Sequence, residues 1–352
     1  MKLDLDEQGW NSFDPDGMLA KIRAAPDIAR KGWDNGQKAH LPRGYQDIEN
    51  VIVAGMGGSA MGADILRAML VDIAEIPMLL SRGYTIPAFA GPQTMVVCAS
   101  YSGNTEETLS AFDAAKNAGC KIVVVGGGGR LFKAAENIPQ LTIKASGMPR
   151  AVMVEAMFLL ASLLDKMGVA KDLADDIPVA IADMDSFIKQ VDVFVPVENN
   201  LAKATAEKLR GKIPMIVGSG ALATVARRWK AQINENSDQW SIIDEMPEFN
   251  HNTIQGMDLP VLGQKGIAPL FLCCSDDDKR DRIQTDDAVR LMEEGGYSPL
   301  VLDAGGSNRL GNILCSVILG DFISYYLALL NDVNPTPIGR IARLKELRAQ
   351  GD

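Results

Sequence analysis

The chain has 352 residues, of which 45 are Asp or Glu and 35 Lys or Arg, for a formal net charge of −10. Such a balance supplies no broad basic face, so nucleic acid is not expected as a partner, and any anionic small ligand has to be held by local donors against the overall field. A hydrophobic share of 47% beside 23% charged residues is ordinary for a soluble globular protein, and the length leaves room for two domains of ~100–200 residues each.

The opening MKLDLDEQGW has no apolar stretch of the kind a signal peptide needs, and none is expected. Residues 1–47 read as a helical extension with irregular pieces. From Asn50 the pattern alternates: strand 50–56, helix 62–70, strands 76–81 and 94–100, helix 106–119, strands 121–127 and 141–145, and a long apolar helix from Arg150 to Gly168. This first round, residues 48–170, implies a largely parallel sheet covered on both faces. A polar, acidic stretch, 171–198, reads as a linker. A second round, 199–332, gives helix 200–211, strand 213–220, helix 221–236, strand 267–275, helix 281–296, strand 299–305 and helix 308–331, before a helical tail, 333–352. The start of one round can be laid on the other, VIVAGMGGSAMGAD beside MIVGSGALATVARR, so the expected class is α/β: two copies of a doubly wound, flavodoxin-like parallel-sheet domain. The segment ILCSVILGDFISYYLALL is apolar but marginal in length and carries Asp321 near its middle. It reads as a buried core helix, and no membrane partner is expected. Cys98, Cys120, Cys273, Cys274 and Cys315 are odd in number, lie mostly in apolar runs and lack CxxC spacing. They read as reduced core residues of a cytoplasmic protein, with neither a disulfide framework nor a zinc site.

The chemistry concentrates in a few strings. VCASYSGNTEET places Ser100, Ser102 and Thr105 at a strand-to-helix junction, where unpartnered backbone N–H groups and the helix dipole favour an anion. Thr105 is a candidate N-cap, but one cap needs one hydroxyl and three are present, which favours a phosphate-sized ligand over capping alone. The turn GMGGSA matches the G-x-G-x-x-A dinucleotide pattern, yet the second strand ends at Ser81 and Arg82 instead of the acidic residue a ribose would want. Its glycines, Gly58 among them, more simply let backbone N–H groups approach an anion, with Ser59 adding a hydroxyl. The corresponding loop of the second round is CSDDDK, whose aspartates would repel phosphate, so one anion site per chain is expected. His40, in QKAHLPRG, reads as structural. His251 stands in MPEFNHNTIQG, a loop-like string dense in hydrogen-bonding side chains, which makes it a functional candidate. Glu235 lies near the end of an amphipathic helix, between Asn234 and Asn236, where a glutamate is ordinarily solvated. Arg150 follows a proline at the start of an apolar helix and needs an anionic partner there.

GMGGSAMGAD, SYSGNTEET, GMPR, NEN, PEFNHNTIQG and YLALLNDVNPTPIGRIARLKEL together resemble the bifunctional phosphoglucose/phosphomannose isomerases, which are built from two sugar isomerase (SIS) domains. The resemblance runs from Asn50 through nearly all of the remaining chain. It implies that Ser59, Ser100, Ser102 and Thr105 bind the sugar phosphate and that Glu235 moves a proton between C1 and C2. It further implies that His251 and Lys345 assist ring opening, that Arg150 stabilises the enediolate, and that Thr336 leaves room for a water that admits the mannose epimer. A homodimer is implied as well, with His251 reaching the neighbouring subunit's site. The chemistry asks for the same residue types. Aldose–ketose isomerisation takes a proton from carbon and returns it to the next, which one carboxylate can do as base and then acid. The charge developing on oxygen needs a fixed cation, and opening the ring needs a group that exchanges protons readily, the usual task of histidine. No cofactor and no metal is expected: a zinc-dependent route would want a histidine cluster, and the chain has two histidines. The alternatives are a sugar-phosphate-binding regulator without turnover and an amino-sugar-phosphate isomerase, whose glutaminase domain is not expected here and whose pattern the Glu235 and His251 strings fit poorly. NEN continues as SDQW, acidic and bulky where the family is basic or small, which bears on substrate preference more than on reaction type.

Overall fold

The computed structural model describes residues 4–6, 9–170, 173–260 and 263–349. These form two compact units, Ala24–Ala182 and Met1–Arg23 with Asp183–Asp352. The expected helical extension holds α1 (Met18–Arg23), in the second of these, and α2 (Ala25–Gln37), in the first.

In the unit Ala24–Ala182, β1 (Asn50–Gly55) is followed by α3 (Gly57–Met69), β2 (Met78–Ser81), β3 (Thr94–Ser100), α4 (Glu106–Asn117), β4 (Lys121–Gly126), α5 (Gly129–Ala134), β5 (Gln140–Thr142) and α6 (Pro149–Lys166). All five strands are parallel, in the order β2-β1-β3-β4-β5, with Ile52 beside Val96 and Cys98 beside Val124. The central strands are runs of Val, Ile and Ala because both of their faces are covered; every residue of β3 is buried. The order reverses between β1 and β3. The helices that leave these two strands therefore cross the sheet in opposite directions and cover opposite faces. On one face α4 and α5 close a core of Ile52, Val96, Cys98, Phe112, Val124 and Leu131. On the other, α3 packs against α6, and α6 against α2.

The stretch expected as a linker holds α7 (Leu173–Val191), and Lys171 and Asp172 lie outside the described residues. Its buried residues, Leu173, Ile177, Ala180, Ile181, Met184, Phe187, Ile188 and Val191, follow helical spacing beneath an acidic exterior.

The other unit repeats the plan with α8 (Leu201–Leu209), β6 (Ile213–Ser219), α9 (Gly220–Asn236), β7 (Ile242–Met246), α10 (Gly263–Gly266), β8 (Ile267–Cys273), α11 (Lys279–Glu294), β9 (Leu300–Asp303), α12 (Arg309–Leu330) and α13 (Gly339–Ala349). Its sheet is parallel, in the order β7-β6-β8-β9. The correspondence of the two rounds extends to the backbone: Gly57 and Gly220 open α3 and α9 with φ of +52° and +50°, a conformation only glycine adopts without cost. Strand β7 is absent from the hydropathy pattern because it is an edge strand with Asp244 and Glu245 in its sequence.

Helix α12 is buried from Leu310 to Leu330. Its apolar length would suit a membrane span, but here it forms the core of its unit against α8 and α9. Asp321, the anomaly in that run, accepts from Arg228 Nη2 at 2.9 Å and from Gln232 Nε2 at 2.7 Å, and one turn away Asn236 Nδ2 donates to Ser324 Oγ at 3.0 Å. Arg228, Gln232 and Asn236 stand four residues apart on α9, so they form one stripe that meets α12 as a polar seam. Beside the seam, Trp229 Nε1 donates to Ser316 O at 2.8 Å, and its ring fills the space a Gly320 side chain would need: a Cβ there would sit 2.3 Å from the indole. Gly320→Ala is expected to destabilise this unit by about 2–3 kcal/mol through overpacking, read by urea unfolding; a loss below ~0.5 kcal/mol would mean that Trp229 is free to shift.

Candidate active site

The loops that follow β1 and β3 meet at the carboxyl edge of the five-stranded sheet, at the point where strand order reverses. Doubly wound folds place ligands there. Helices α3 and α4 both begin at this edge, and neither has a side-chain hydrogen bond at its cap. The first N–H groups of a helix point out of its N-terminal end, here at this edge, with the dipoles adding partial positive charge.

The hydroxyls are arranged around this space. Ser59, in the first turn of α3, is buried and its Oγ accepts from the Tyr101 N–H at 3.2 Å. Ser100 ends β3; its Oγ accepts from Gly103 N–H at 3.1 Å and lies 2.9 Å from Thr105 Oγ1. Thr105 occupies the N-cap position of α4, but its hydroxyl is directed to Ser100 and makes no cap bond, which corrects the reading of its side chain as a cap. Ser102 is exposed, with Oγ accepting from Asn104 N–H at 3.2 Å. Gly58 lies against the start of α6: a Cβ there would be 2.9 Å from Pro149 O and 3.2 Å from Arg150 N. Arg150, in the first turn of α6, is 5% exposed. Thus Gly58, Ser59, Ser100, Ser102, Thr105 and the backbone of Arg150 gather at one edge of one unit.

Two side chains outside the expected set hold this edge together. Glu155, 1% exposed on α6, accepts from the N–H groups of Lys144 at 3.0 and 3.1 Å and of Ala145 at 2.7 Å. Tyr101 spans from the serine loop to the same segment: its hydroxyl donates to Ala145 O at 3.0 Å and accepts from Gly147 N–H at 3.3 Å. The signal for Glu155 was a lone carboxylate in the apolar run AVMVEAMFLL, which has to be paired or hydrogen-bonded when buried. Further along α3, the carboxylate of Asp64 is 1% exposed and bonds Arg82 at 2.7 Å and Arg67 at 3.0 Å, fastening the helix to the end of β2.

The remaining candidates belong to the other unit. Glu235 is half-buried in the last turn of α9, bracketed by two anchored asparagines: Asn236 bonds Ser324, and Asn234 Oδ1 accepts from Ser241 Oγ at 2.8 Å. His251 ends a 3-10 turn, Glu248–His251, and is exposed, where sequence had indicated a loop. That turn is pinned by Phe249, which joins Met215, Val217, Phe271, Ala288 and Met292 in the core on the α11 face, and by Asn250 Nδ2 donating to Gln284 O at 3.2 Å. α9 and α11 cover opposite faces of the sheet; Glu235 is carried by α9, and the turn that ends at His251 packs through Phe249 with the core on the α11 face. Thr336 is buried, its N–H donating to Asn334 Oδ1 at 3.0 Å, and Lys345 is exposed on α13.

At the equivalent edge of this second sheet, the chain's own carboxylates take up the donors. Asp277 accepts from Cys274 N–H at 2.8 Å and from its thiol at 3.0 Å, Asp278 caps α11 through Arg280 N–H at 2.8 Å, and Asn312 Nδ2 donates to Asp276. Burial, reinforced by Asp277, pushes the Cys274 thiol well above its ordinary pKa.

A doubly wound sheet repeated twice, with hydroxyl-lined loops between two helix N-termini, defines the sugar isomerase class of fold. The C-terminal domain of glucosamine-fructose-6-phosphate aminotransferase from Francisella tularensis shares it, with a TM-score of 0.70 over 91% of this chain and 98% of that one at 13% identity. Residues 198–347 match the bacterial phospho-glucose isomerase C-terminal SIS domain. The bifunctional phosphoglucose/phosphomannose isomerase of Caldicellulosiruptor bescii is 34% identical over 95% of this chain and 99% of its own length, and that of Aquifex aeolicus is 31% identical over 89% and 93%. The chain belongs to the family of bifunctional phosphoglucose/phosphomannose isomerases.

The state of Asp64 gives a pH test. Desolvation raises its pKa, but the hydrogen bonds and charges of Arg82 and Arg67 outweigh it, and the group stays below its ordinary 3.8. A depressed carboxylate contributes stability above its unfolded pKa and loses it as pH falls through the folded one. Asp64→Asn is therefore expected to cost about 2 kcal/mol in urea unfolding at pH 7, the arginines being partly solvated, with the difference from the parent shrinking below pH ~3.8. An equal difference at both pH values would refute the pairing.

Proposed function

We propose that the protein interconverts glucose 6-phosphate and fructose 6-phosphate, and also mannose 6-phosphate, by proton transfer through an enediolate. The observation that carries this is the set of hydroxyls between two uncapped helix N-termini at the β1/β3 edge, in a chain that belongs to the family over nearly its full length. An ester phosphate there accepts from Ser59, Ser100, Ser102 and Thr105 and from the backbone N–H groups near Gly58, and anchors the sugar by the end that does not react. Glu235 takes the proton from one carbon and returns it to its neighbour. Its bracketing asparagines support that role, because each is anchored elsewhere and holds the last turn of α9 in place. Arg150 stabilises the charge that develops on oxygen, and its burial in the first turn of α6 supports the assignment by lowering the local dielectric around a fixed cation. His251 and Lys345 carry the protons of ring opening, and Thr336 leaves space for the water that admits the mannose epimer.

The working unit in this reading is a homodimer in which His251 serves the partner's Glu235. Their placement on different elements, Glu235 on α9 and His251 on a turn packed toward the α11 face, supports it, as does the exposure of His251.

Purified protein treated with a chelator and given fructose 6-phosphate is expected to form both glucose 6-phosphate and mannose 6-phosphate. Binding without either product would favour a regulator, and glucose 6-phosphate alone would remove the role of Thr336. Glu235→Gln and His251→Ala should each lower kcat by ~10²–10⁴-fold. Mixed and allowed to exchange subunits, the two inactive variants should recover roughly a quarter of parental activity, since half the dimers are hybrids and each hybrid has one intact site. No recovery in an exchanged mixture would place both residues in the same chain's site.

A further inference from the structure

We infer that Tyr101 is a positioning residue for Arg150, joining the phosphate loop to the segment that delivers the arginine; this rests on the role proposed above for Arg150. Tyr101 stands in the middle of SYSGNT, and its bonds run in two directions. Its backbone N–H is given to Ser59 Oγ at 3.2 Å, and its carbonyl accepts from Gly127 N–H at 2.9 Å, so its main chain belongs to the loop edge. Its hydroxyl leaves that edge, donating to Ala145 O at 3.0 Å and accepting from Gly147 N–H at 3.3 Å.

Residues 144–148 lie between β5 and α6 and include Gly147 at φ +148°. Glu155 fixes the first part through Lys144 and Ala145, and Tyr101 fixes the second through Ala145 and Gly147. Arg150 follows three residues after Gly147. Its side chain starts from the first turn of α6, whose own N-terminal groups have no side-chain cap. A phosphate that engages Ser59 and Ser100 immobilises the loop carrying Tyr101, and the tyrosine hydroxyl transmits that constraint to the start of α6. Phosphate binding and guanidinium placement are thereby coupled through one side chain. A sugar lacking the phosphate would find the cation less well placed, which is how energy from a remote group is converted into rate at the reacting carbons.

The test is a double-mutant cycle on the full-length protein with fructose 6-phosphate, using Tyr101→Phe in the parent and in Arg150→Lys, which keeps a cation of different reach. Tyr101→Phe removes the hydroxyl alone. In the parent it should lower kcat about tenfold, with KM changed less than about twofold and Tm within ~2 °C. In the Arg150→Lys background the further loss should shrink below about twofold, because there is no guanidinium left to place. Equal losses in both backgrounds overturn the inference, as does a lowered Tm with unchanged kcat, the signature of a merely structural bond. If Arg150→Lys turns over like the parent, the role of Arg150 has failed and the inference falls with it. Absence of turnover in the unsubstituted protein would instead sink the isomerase reading itself.

Discussion

The polar seam between α9 and α12 is the constraint on which the second unit depends. A helix as apolar as α12 could be rotated about its axis, or slid past its neighbour by a turn, at little cost in buried area, since hydrophobic burial is not directional. Asp321 removes that freedom. A buried carboxylate has to be met by donors; Arg228 and Gln232 on α9 meet it, and Asn236 bonds Ser324 one turn on, which fixes α9 in both rotation and height. Trp229, keyed into the gap at Gly320, excludes the neighbouring registers. The seam ends one residue from Glu235. Its lowest bond, Asn236 to Ser324, sets where the last turn of α9 stops and therefore where the glutamate stands.

The two units show how one backbone plan carries opposite outcomes at the same topological point. Each sheet reverses strand order beside its first strand, and each first helix begins at a glycine of positive φ. In one unit the loop after β3 offers hydroxyls, whose oxygens both donate and accept. In the other it offers carboxylates, and those carboxylates have already taken the donors that an anion would use: Asp277 holds Cys274, and Asp278 caps α11. The duplicated edge is thus filled from within. In the function proposed above only the first unit keeps this edge for a ligand, and the second unit contributes through Glu235 at the far end of α9 and His251 in the turn after β7.

What could be read from sequence followed from how strongly each residue constrains its surroundings. β3 was legible at both ends, because a run of buried β-branched residues stops where SYSGNT begins. Asp321 was recognised as incompatible with a membrane, although its partners were not identified, since donors 89 and 93 residues away leave no local trace. Helix α3 begins five residues before its expected start because GGSA reads as loop, while one glycine with positive φ suffices to turn the chain into the helix. α7 had a clear helical stripe from Leu173 to Val191, but its acidic exterior dominated the composition and suggested a linker. β7 gave no signal, as an edge strand needs neither continuous apolarity nor strict alternation. The hydroxyl, arginine, glutamate and histidine candidates were readable from chemistry and resemblance. Tyr101 was not, and Glu155 showed only as a lone carboxylate in an apolar run, because their partners are backbone atoms, which any residue type could supply.

The same difference describes how the loops at the β1/β3 edge are held. Loops carry function but tend to mobility, since few of their backbone groups have partners. Here the free backbone groups are divided between two uses. Those of residues 144, 145 and 147 are satisfied by buried or half-buried side chains, Glu155 and Tyr101, while the first N–H groups of α3 and α4 are left without caps. The loop after β3 holds its shape through its own serines, with Ser100 bonded to both Gly103 and Thr105. For the phosphate site proposed above, this leaves few internal bonds competing for the helix donors. Under that proposal a side-chain cap on either helix would add stability and at the same time take a donor from the ligand, so stability and receptiveness are set against each other at these two helix ends.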